Sequence, residues 1–365
     1  MVTRFSRQVI TCIVVIVLVS LPLIAVDAQG GGMKMTSGKL SPNCAPLITP
    51  SVAIGCDTQA VSDTQIPKGG RLVSARWLAG QLKDSSLLIV DMRSPEAYDE
   101  AHVPGAVNLP VDQISSAIDG VPMEFDIDKV QASLNAIGLT PDSSVVIYDD
   151  LGMLNSARLF WTLELVGHEN ARVVDGGWNA WVAENRETTT AVPDITPSEY
   201  PIALHVNRVV NLDGVLSMLD NPDVVILDVR SPMEYSGEVK LADRGGHIPG
   251  AQLLNWLDVL TGGDAVYTTE SDWMDQLRDD DVEVFKELNE IQTLLNERGV
   301  TPDKTVIVYC QSLYRGAHMY YLLRMMGFED VRGYDGSWAE WGSRIDLPII
   351  QGVEPGSLAL ANYTD

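Results

Sequence analysis

Cysteine is scarce in this chain, with four in 365 residues. That is too few for a disulfide scaffold of this length. No Cys-x-x-Cys pair and no Cys/His cluster is present, so a structural zinc site has no support. Basic residues are also in short supply: Lys plus Arg number 25 against 50 Asp plus Glu, a formal charge of −25. Such a chain repels phosphate backbones and anionic lipid heads, which argues against nucleic-acid binding and against attachment through a basic patch. Hydrophobic residues are not lacking; at 45% they suffice for packed cores. At about 100–200 residues per domain, the length implies two domains, three at most.

There is one long apolar run, from Val9 to Val26, preceded by Arg4 and Arg7 and broken by Pro22. Val26 and Ala28 then supply the small residues of a cleavage site. Residues 1–28 therefore read as a secretory signal peptide cut near Ala28, and the protein as exported, periplasmic or extracellular. An uncleaved N-terminal membrane anchor is the alternative. In an oxidising compartment Cys44 and Cys56 can close a small loop in the Gly/Ser/Pro-rich stretch 29–69; two free thiols in a linker are the alternative. Cys12 leaves with the signal. Cys310 then stands alone, and an unpaired cysteine in an exported protein calls for a reason.

The strongest feature is an internal repeat. Leu87-Leu-Ile-Val-Asp-Met-Arg-Ser-Pro-Glu-Ala-Tyr98 matches Val224-Val-Ile-Leu-Asp-Val-Arg-Ser-Pro-Met-Glu-Tyr235. Ala101-His-Val-Pro-Gly-Ala106 matches Gly246-His-Ile-Pro-Gly-Ala251, and Val145-Val-Ile-Tyr-Asp149 matches Val306-Ile-Val-Tyr-Cys310. Val174-Asp-Gly-Gly-Trp-Asn-Ala-Trp181 matches Tyr334-Asp-Gly-Ser-Trp-Ala-Glu-Trp341. Four blocks in one order mean a tandem duplication.

Short β-branched runs (Leu87–Val90, Val145–Tyr148, Val224–Leu227, Thr305–Tyr309) read as buried strands, and Ala157–Val166 and Ala317–Met326 as helices stopped by Gly167 and Gly327. The expectation is an α/β fold of two tandem domains, each a mainly parallel sheet flanked by helices. The Pro/Thr-rich stretch Thr188–Pro201 separates the copies. The domains are set at 70–190 and 205–350, the linker at 191–204 and a tail at 351–365. The second copy is longer in one place, with Thr261-Gly-Gly-Asp264 and the acidic run Asp279-Asp-Asp281, read as a solvated face.

The second copy also carries the chemistry. A buried strand ends at Cys310, a short loop follows, and a helix begins. This places the thiol at the carboxyl edge of a parallel sheet, where α/β folds bind ligands, and over a helix N-terminus. Unpaired N–H groups and Arg315 would favour the nucleophilic form of the sulfur. The first copy has Asp149 in place of Cys310 and no comparable nucleophile, so one live and one dead loop are expected.

On these residues the chain resembles the tandem-domain rhodaneses, which include thiosulfate and 3-mercaptopyruvate sulfurtransferases. The resemblance covers about residues 70–345. It rests on Asp-x-Arg-x-x-x-x-Tyr, His-[Ile/Val]-Pro-Gly-Ala, the Tyr-Cys loop and Asp-Gly-x-Trp. It implies that Cys310 takes a sulfane sulfur from a small anionic donor such as thiosulfate, holds it as a persulfide, and passes it to cyanide or a thiol. An exported acceptor protein is a further possible partner. No metal or organic cofactor is implied. Gln311, Ser312, Leu313, Tyr314 and Arg315 are the expected binding loop, with Arg230 as a further substrate-binding candidate.

The loop departs from the family pattern. It lacks the adjacent basic residues of thiosulfate-type loops and the Gly-Ser-Gly-Val-Thr of mercaptopyruvate-type loops. Leu313 stands where many rhodaneses have glycine, so a different loop backbone is expected there. Arg230 has a second reading, since Arg93 occupies the same place in the dead copy: Asp228 and Arg230 fix the turn. By the same comparison His102 and His247 read as turn architecture, and Trp178, Trp181, Trp338 and Trp341 as core. His318 reads as a surface histidine. Two rivals to sulfur transfer remain. A phosphatase loop of this fold has five residues between Cys and Arg, whereas four separate Cys310 from Arg315. A non-turnover persulfide carrier would load one sulfur and stop.

Overall fold

The computed structural model describes residues 70–115, 126–261 and 282–361. The signal segment, Cys44, Cys56 and most of the acidic insertion lie outside the described residues. Among the described residues no helix is long and apolar enough to cross a membrane.

Each copy of the repeat builds one five-stranded, wholly parallel sheet. In the first half the strands are β1 (Leu72–Val73), β2 (Leu87–Asp91), β3 (Val107–Asn108), β4 (Ser144–Tyr148) and β5 (Ala171–Val174), ordered β1-β5-β4-β2-β3. In the second they are β6 (Val209–Val210), β7 (Val224–Asp228), β8 (Gln252–Leu253), β9 (Thr305–Tyr309) and β10 (Val331–Tyr334), ordered β6-β10-β9-β7-β8. The identical order confirms the duplication at the level of topology. The central strands pair in matched registers, Asp91 opposite Tyr148 and Asp228 opposite Tyr309.

The first half carries helices α1 (Ala75–Gln81), α2 (Pro95–Glu100), α3 (Ile127–Ala136), α4 (Leu154–Leu165) and α5 (Gly177–Ala183). The second carries α6 (Leu212–Met218), α7 (Pro232–Ser236), α8 (Leu288–Glu297), α9 (Tyr314–Met325) and α10 (Ser337–Trp341). The Ser-Pro of each Asp-x-Arg-Ser-Pro block starts a helix. Ser94 and Ser231 cap α2 and α7 by accepting from Ala97 N and Glu234 N, with proline in the first turn, where its missing N–H costs nothing.

Strand alternation sorts the side chains between two faces. Val146 and Tyr148 of β4 pack with α1 and α5 residues, and Ile307 and Tyr309 of β9 with α6 and α10 residues, in two separate outer cores. Val145 and Ile147, with Val306 and Val308, point the other way into a single core that runs through both halves. The helices α4 and α9 lie in that shared core, and both are buried nearly all round. A helix that meets a sheet on one side and another helix on the other has no polar face to offer.

Candidate active site

Cys310 follows β9 directly, so the alternation that sends Val306 and Val308 inward sends Cys310 inward as well. Its side chain belongs to the shared core and is 1% exposed. The side chain thus lies on the face of the sheet that carries α9. The strand end beneath it is fixed by Tyr309, whose hydroxyl donates to Asp228 Oδ2 at 2.5 Å and accepts from Ile248 N at 3.2 Å.

The loop after Cys310 is stapled by the start of α10. Ser337 Oγ accepts from Cys310 N at 3.3 Å and Leu313 N at 3.1 Å, and donates to Tyr334 O at 2.7 Å. Trp338 N and Ala339 N donate to the carbonyls of Cys310 and Gln311, each at 3.0 Å. Leu313 corrects a sequence expectation. It takes the left-handed backbone that glycine would take, at φ +60°. Its side chain is fully buried and packs on Gly316 and Gly333, so burial and the Ser337 contact offset the strain.

The two arginines expected to serve substrate are already engaged with carboxylates. Arg315 donates from Nη1 and Nη2 to both oxygens of Glu234, at 2.7 and 2.9 Å. Burial opposes the charge on Glu234, but the Arg315 and Arg230 guanidiniums outweigh it and hold that carboxyl down to about 2. Arg230 clasps both oxygens of Asp228, donates to Gly246 O at 2.7 Å, and lies 4.6 Å from the Trp338 ring. Arg93 makes the same contacts with Asp91, Ala101 O and Trp178 in the first half. That identity supports the turn-fixing reading of the Asp-x-Arg pair. Gln311 donates from Nε2 to Leu241 O at 2.8 Å, and Ser312 is half-buried at the loop tip. Tyr314 reaches across the seam between the halves, donating from its hydroxyl to Ser115 Oγ at 2.8 Å.

The loop at Asp149 is the counterpart of the loop at Cys310 and is one residue longer between its strand and its helix. In the first half the Asp149 carboxyl accepts from Leu151 N at 2.8 Å, Met153 N at 3.1 Å and Ser156 N at 2.6 Å. Burial raises its pKa, opposed by the N–H bonds of Ser156 and Leu151. Met153, at φ +67°, caps α4 as Leu313 caps α9. Three backbone N–H groups of this loop thus converge on its own side chain. In the second half a thiol replaces that carboxyl, at the head of the loop that opens α9. Gly177 stands where Ser337 does, and a Cβ on Gly177 would meet Asp149 O at 2.1 Å. The serine staple is thus confined to the live half.

The remaining motif residues divide cleanly. His102 and His247 hydrogen-bond two carbonyls each and stack on Tyr98 and Tyr235, which bears out turn architecture. Trp181, Trp338 and Trp341 are buried, and Trp178 packs against a core. His318 corrects the sequence expectation. It is fully buried beside Trp256 and Phe285, and burial pushes its pKa down to about 3, so the ring is neutral. The pattern around it gave no sign of this, because α9 is buried on nearly every side and no exposed stripe marks one face from another. Glu234 and Ser337 were also missed. Setting Gly177 against Ser337 in the aligned blocks was the available signal for the serine.

A family model described as the rhodanese-like domain matches residues 74–184 and 211–344. A thiosulfate sulfurtransferase of Corynebacterium glutamicum is 33% identical over 297 residues, covering 77% of this chain and 91% of that protein. The thiosulfate sulfurtransferase of Azotobacter vinelandii is 31% identical, covering 74% and 94%. The sulfur carrier protein TtuD of Thermus thermophilus is 30% identical, covering 78% and 97%. An anaerobic ergothioneine biosynthesis enzyme from Chlorobium limicola shares the fold, with a TM-score of 0.68 at 24% identity over 79% of this chain and 72% of that one. With both halves matched by one domain model, and with relatives of this identity spanning most of the chain, the protein belongs to the tandem rhodanese family of sulfurtransferases.

Proposed function

We propose that this sulfurtransferase works through Cys310, with thiosulfate or a like anion as donor. The Cys310 thiolate attacks the outer sulfur of the donor. The donor's S–S bond breaks, sulfite leaves with the electron pair, and Cys310 carries a persulfide. Cyanide or a thiol then attacks the outer sulfur, takes it, and returns the thiolate. The observation that carries this reading is the place of Cys310: it follows β9 directly, is buried, and stands at the head of the short loop that opens α9. The start of a helix suits the negative charge of the terminal persulfide sulfur.

The test is thiosulfate:cyanide turnover, followed as thiocyanate, beside Cys310→Ser. Turnover in the parent and none in the variant is expected. Intact mass after donor alone should show one added sulfur, removed by cyanide. Loading without turnover would make the protein a carrier, the description borne by its Thermus relative. Turnover with 3-mercaptopyruvate but not thiosulfate would change the donor, with pyruvate as the leaving group. The Arg4–Ala28 segment supports export and an exported acceptor, and N-terminal sequencing of the secreted protein tests that reading.

A further inference from the structure

The repeat relates the halves by a register that aligns Ala157 with Ala317 and Gly167 with Gly327. In that register Arg158 of α4 is the counterpart of His318 of α9, and Asp175 that of Asp335. Each half therefore lends one side chain from its buried helix to the seam beside the other half's loop. His318 lies near Gly152 of the dead loop, where the ring is neutral. Arg158 lies beside the live loop. Its Nη2 donates to Asp335 Oδ1 at 2.9 Å, two residues before the Ser337 that staples Cys310. Its guanidinium is 5.4 Å from the ring of Tyr314, the first residue of α9, and 4.6 Å from that of Trp161.

What sets Arg158 apart is its unused capacity. Arg230 and Arg315 each engage both oxygens of a carboxylate. Arg158 makes one such bond, and its Nε and Nη1 are buried with no protein partner. Asp335 Oδ2 is likewise unpartnered. Buried guanidinium N–H groups without acceptors are rare and costly, and an oxygen-rich anion would complete the set.

We propose that Arg158, carried by the half that lacks the cysteine, binds the oxyanion end of the sulfur donor beside the Cys310 loop. This rests on the reading of Cys310 as the sulfur-accepting residue. It gives the dead half a part in binding the substrate, besides its part in the fold. A sulfonate oxygen takes the open Nε or Nη1 while the outer sulfur meets Cys310.

The test separates the two half-reactions. In Arg158→Gln the rate of Cys310 loading by thiosulfate at low concentration, and the KM for thiosulfate, should worsen by about tenfold or more. Discharge of the preloaded persulfide by cyanide should change less than about twofold. Arg158→Lys should fall between parent and Gln. Asp335→Asn, which removes the competing carboxylate, should lower the thiosulfate KM. A purely structural arginine would slow both half-reactions alike, and Asp335→Asn would then harm rather than help; either result overturns the proposal. Should Arg158→Gln fail to fold by near-UV circular dichroism, the Lys and Asn variants decide. A parent with no loading at all would instead defeat the reading of Cys310, which the parent assay alone detects.

Discussion

Glu164 and Arg324 occupy the same position in the two copies of the repeat, and they meet each other. Arg324 Nε donates to Glu164 Oε2 at 2.9 Å across the α4–α9 contact. Such self-contact of equivalent positions marks a two-fold axis, here a pseudo-axis within one chain. The duplication has turned one position into complementary charges. Tyr320 donates to the same carboxylate at 2.6 Å, and Arg71 lies 3.0 Å from its other oxygen. Burial opposes the charge on Glu164, but Arg324, Tyr320 and Arg71 hold its pKa below the usual value.

Glu164→Gln should therefore destabilise the protein by about 3–5 kcal/mol, because it leaves buried arginines uncompensated. Urea denaturation of the variant measures this. The charge swap Glu164→Arg with Arg324→Glu should recover part of the loss and not all, since Arg71 would then face a like charge.

Asp175 makes stability depend on pH. Burial pushes its carboxyl up to about 7, against the single N–H of Phe285. The unfolded chain ionises near 3.8 while the folded chain keeps the proton, so stability falls as pH rises from about 4 to about 7 and then levels. Asp175→Asn removes this dependence. It should match the parent below pH 4 and exceed it by about 2–4 kcal/mol above pH 7. Equal stability curves across that range would refute the assignment.

Glu234 acts in the opposite sense. Its folded value of about 2 lies below its ordinary 4.5. It contributes stability in full above pH 4.5, lost as the pH falls toward 2. Glu234→Gln should flatten the acid limb of the unfolding profile. It should also slow sulfur transfer, because Arg315 loses the contact that sets the first turn of α9.

Asp149→Ala should destabilise the first half by about 2–4 kcal/mol, because three buried N–H groups lose their acceptor. It should leave sulfur loading of Cys310 within about threefold of the parent. Asp149→Asn keeps an acceptor and should lose about half as much. Thermal melts beside loading assays distinguish the two.

Ser337→Ala removes the acceptor shared by Cys310 N and Leu313 N while keeping a Cβ at φ +51°. A fall of about tenfold in loading rate, with a stability loss of only about 1–2 kcal/mol, is expected. An unchanged loading rate would show that the staple does not set the position of the sulfur.

The sequence made the sheet legible because buried parallel strands are short β-branched runs, and the repeat doubled the signal. Thr305–Tyr309 matches its run end to end, and Val224–Asp228 differs by one residue. The two helices read from the sequence, Ala157–Val166 and Ala317–Met326, were legible except at their starts. Tyr314 and Leu154 begin α9 and α4 three residues before the expected Ala317 and Ala157, since Leu313 and Met153 cap them through a backbone twist that neither side chain announces. Cys310 was legible by its place after a strand. The partners of Arg315 and Arg158 were not, because Glu234 and Asp335 come from other elements and only the folded chain brings them within reach. His318 was misplaced for the same reason: a helix packed on both sides gives a histidine no polar face to mark.

One core shared through α4 and α9 also limits how the two copies can change over generations. A spare copy released from chemistry would ordinarily be free to drift. Here every substitution on α4 is tested against α9, including in the half that holds Cys310. The copy without the cysteine is thereby held to the shape of the one that carries it.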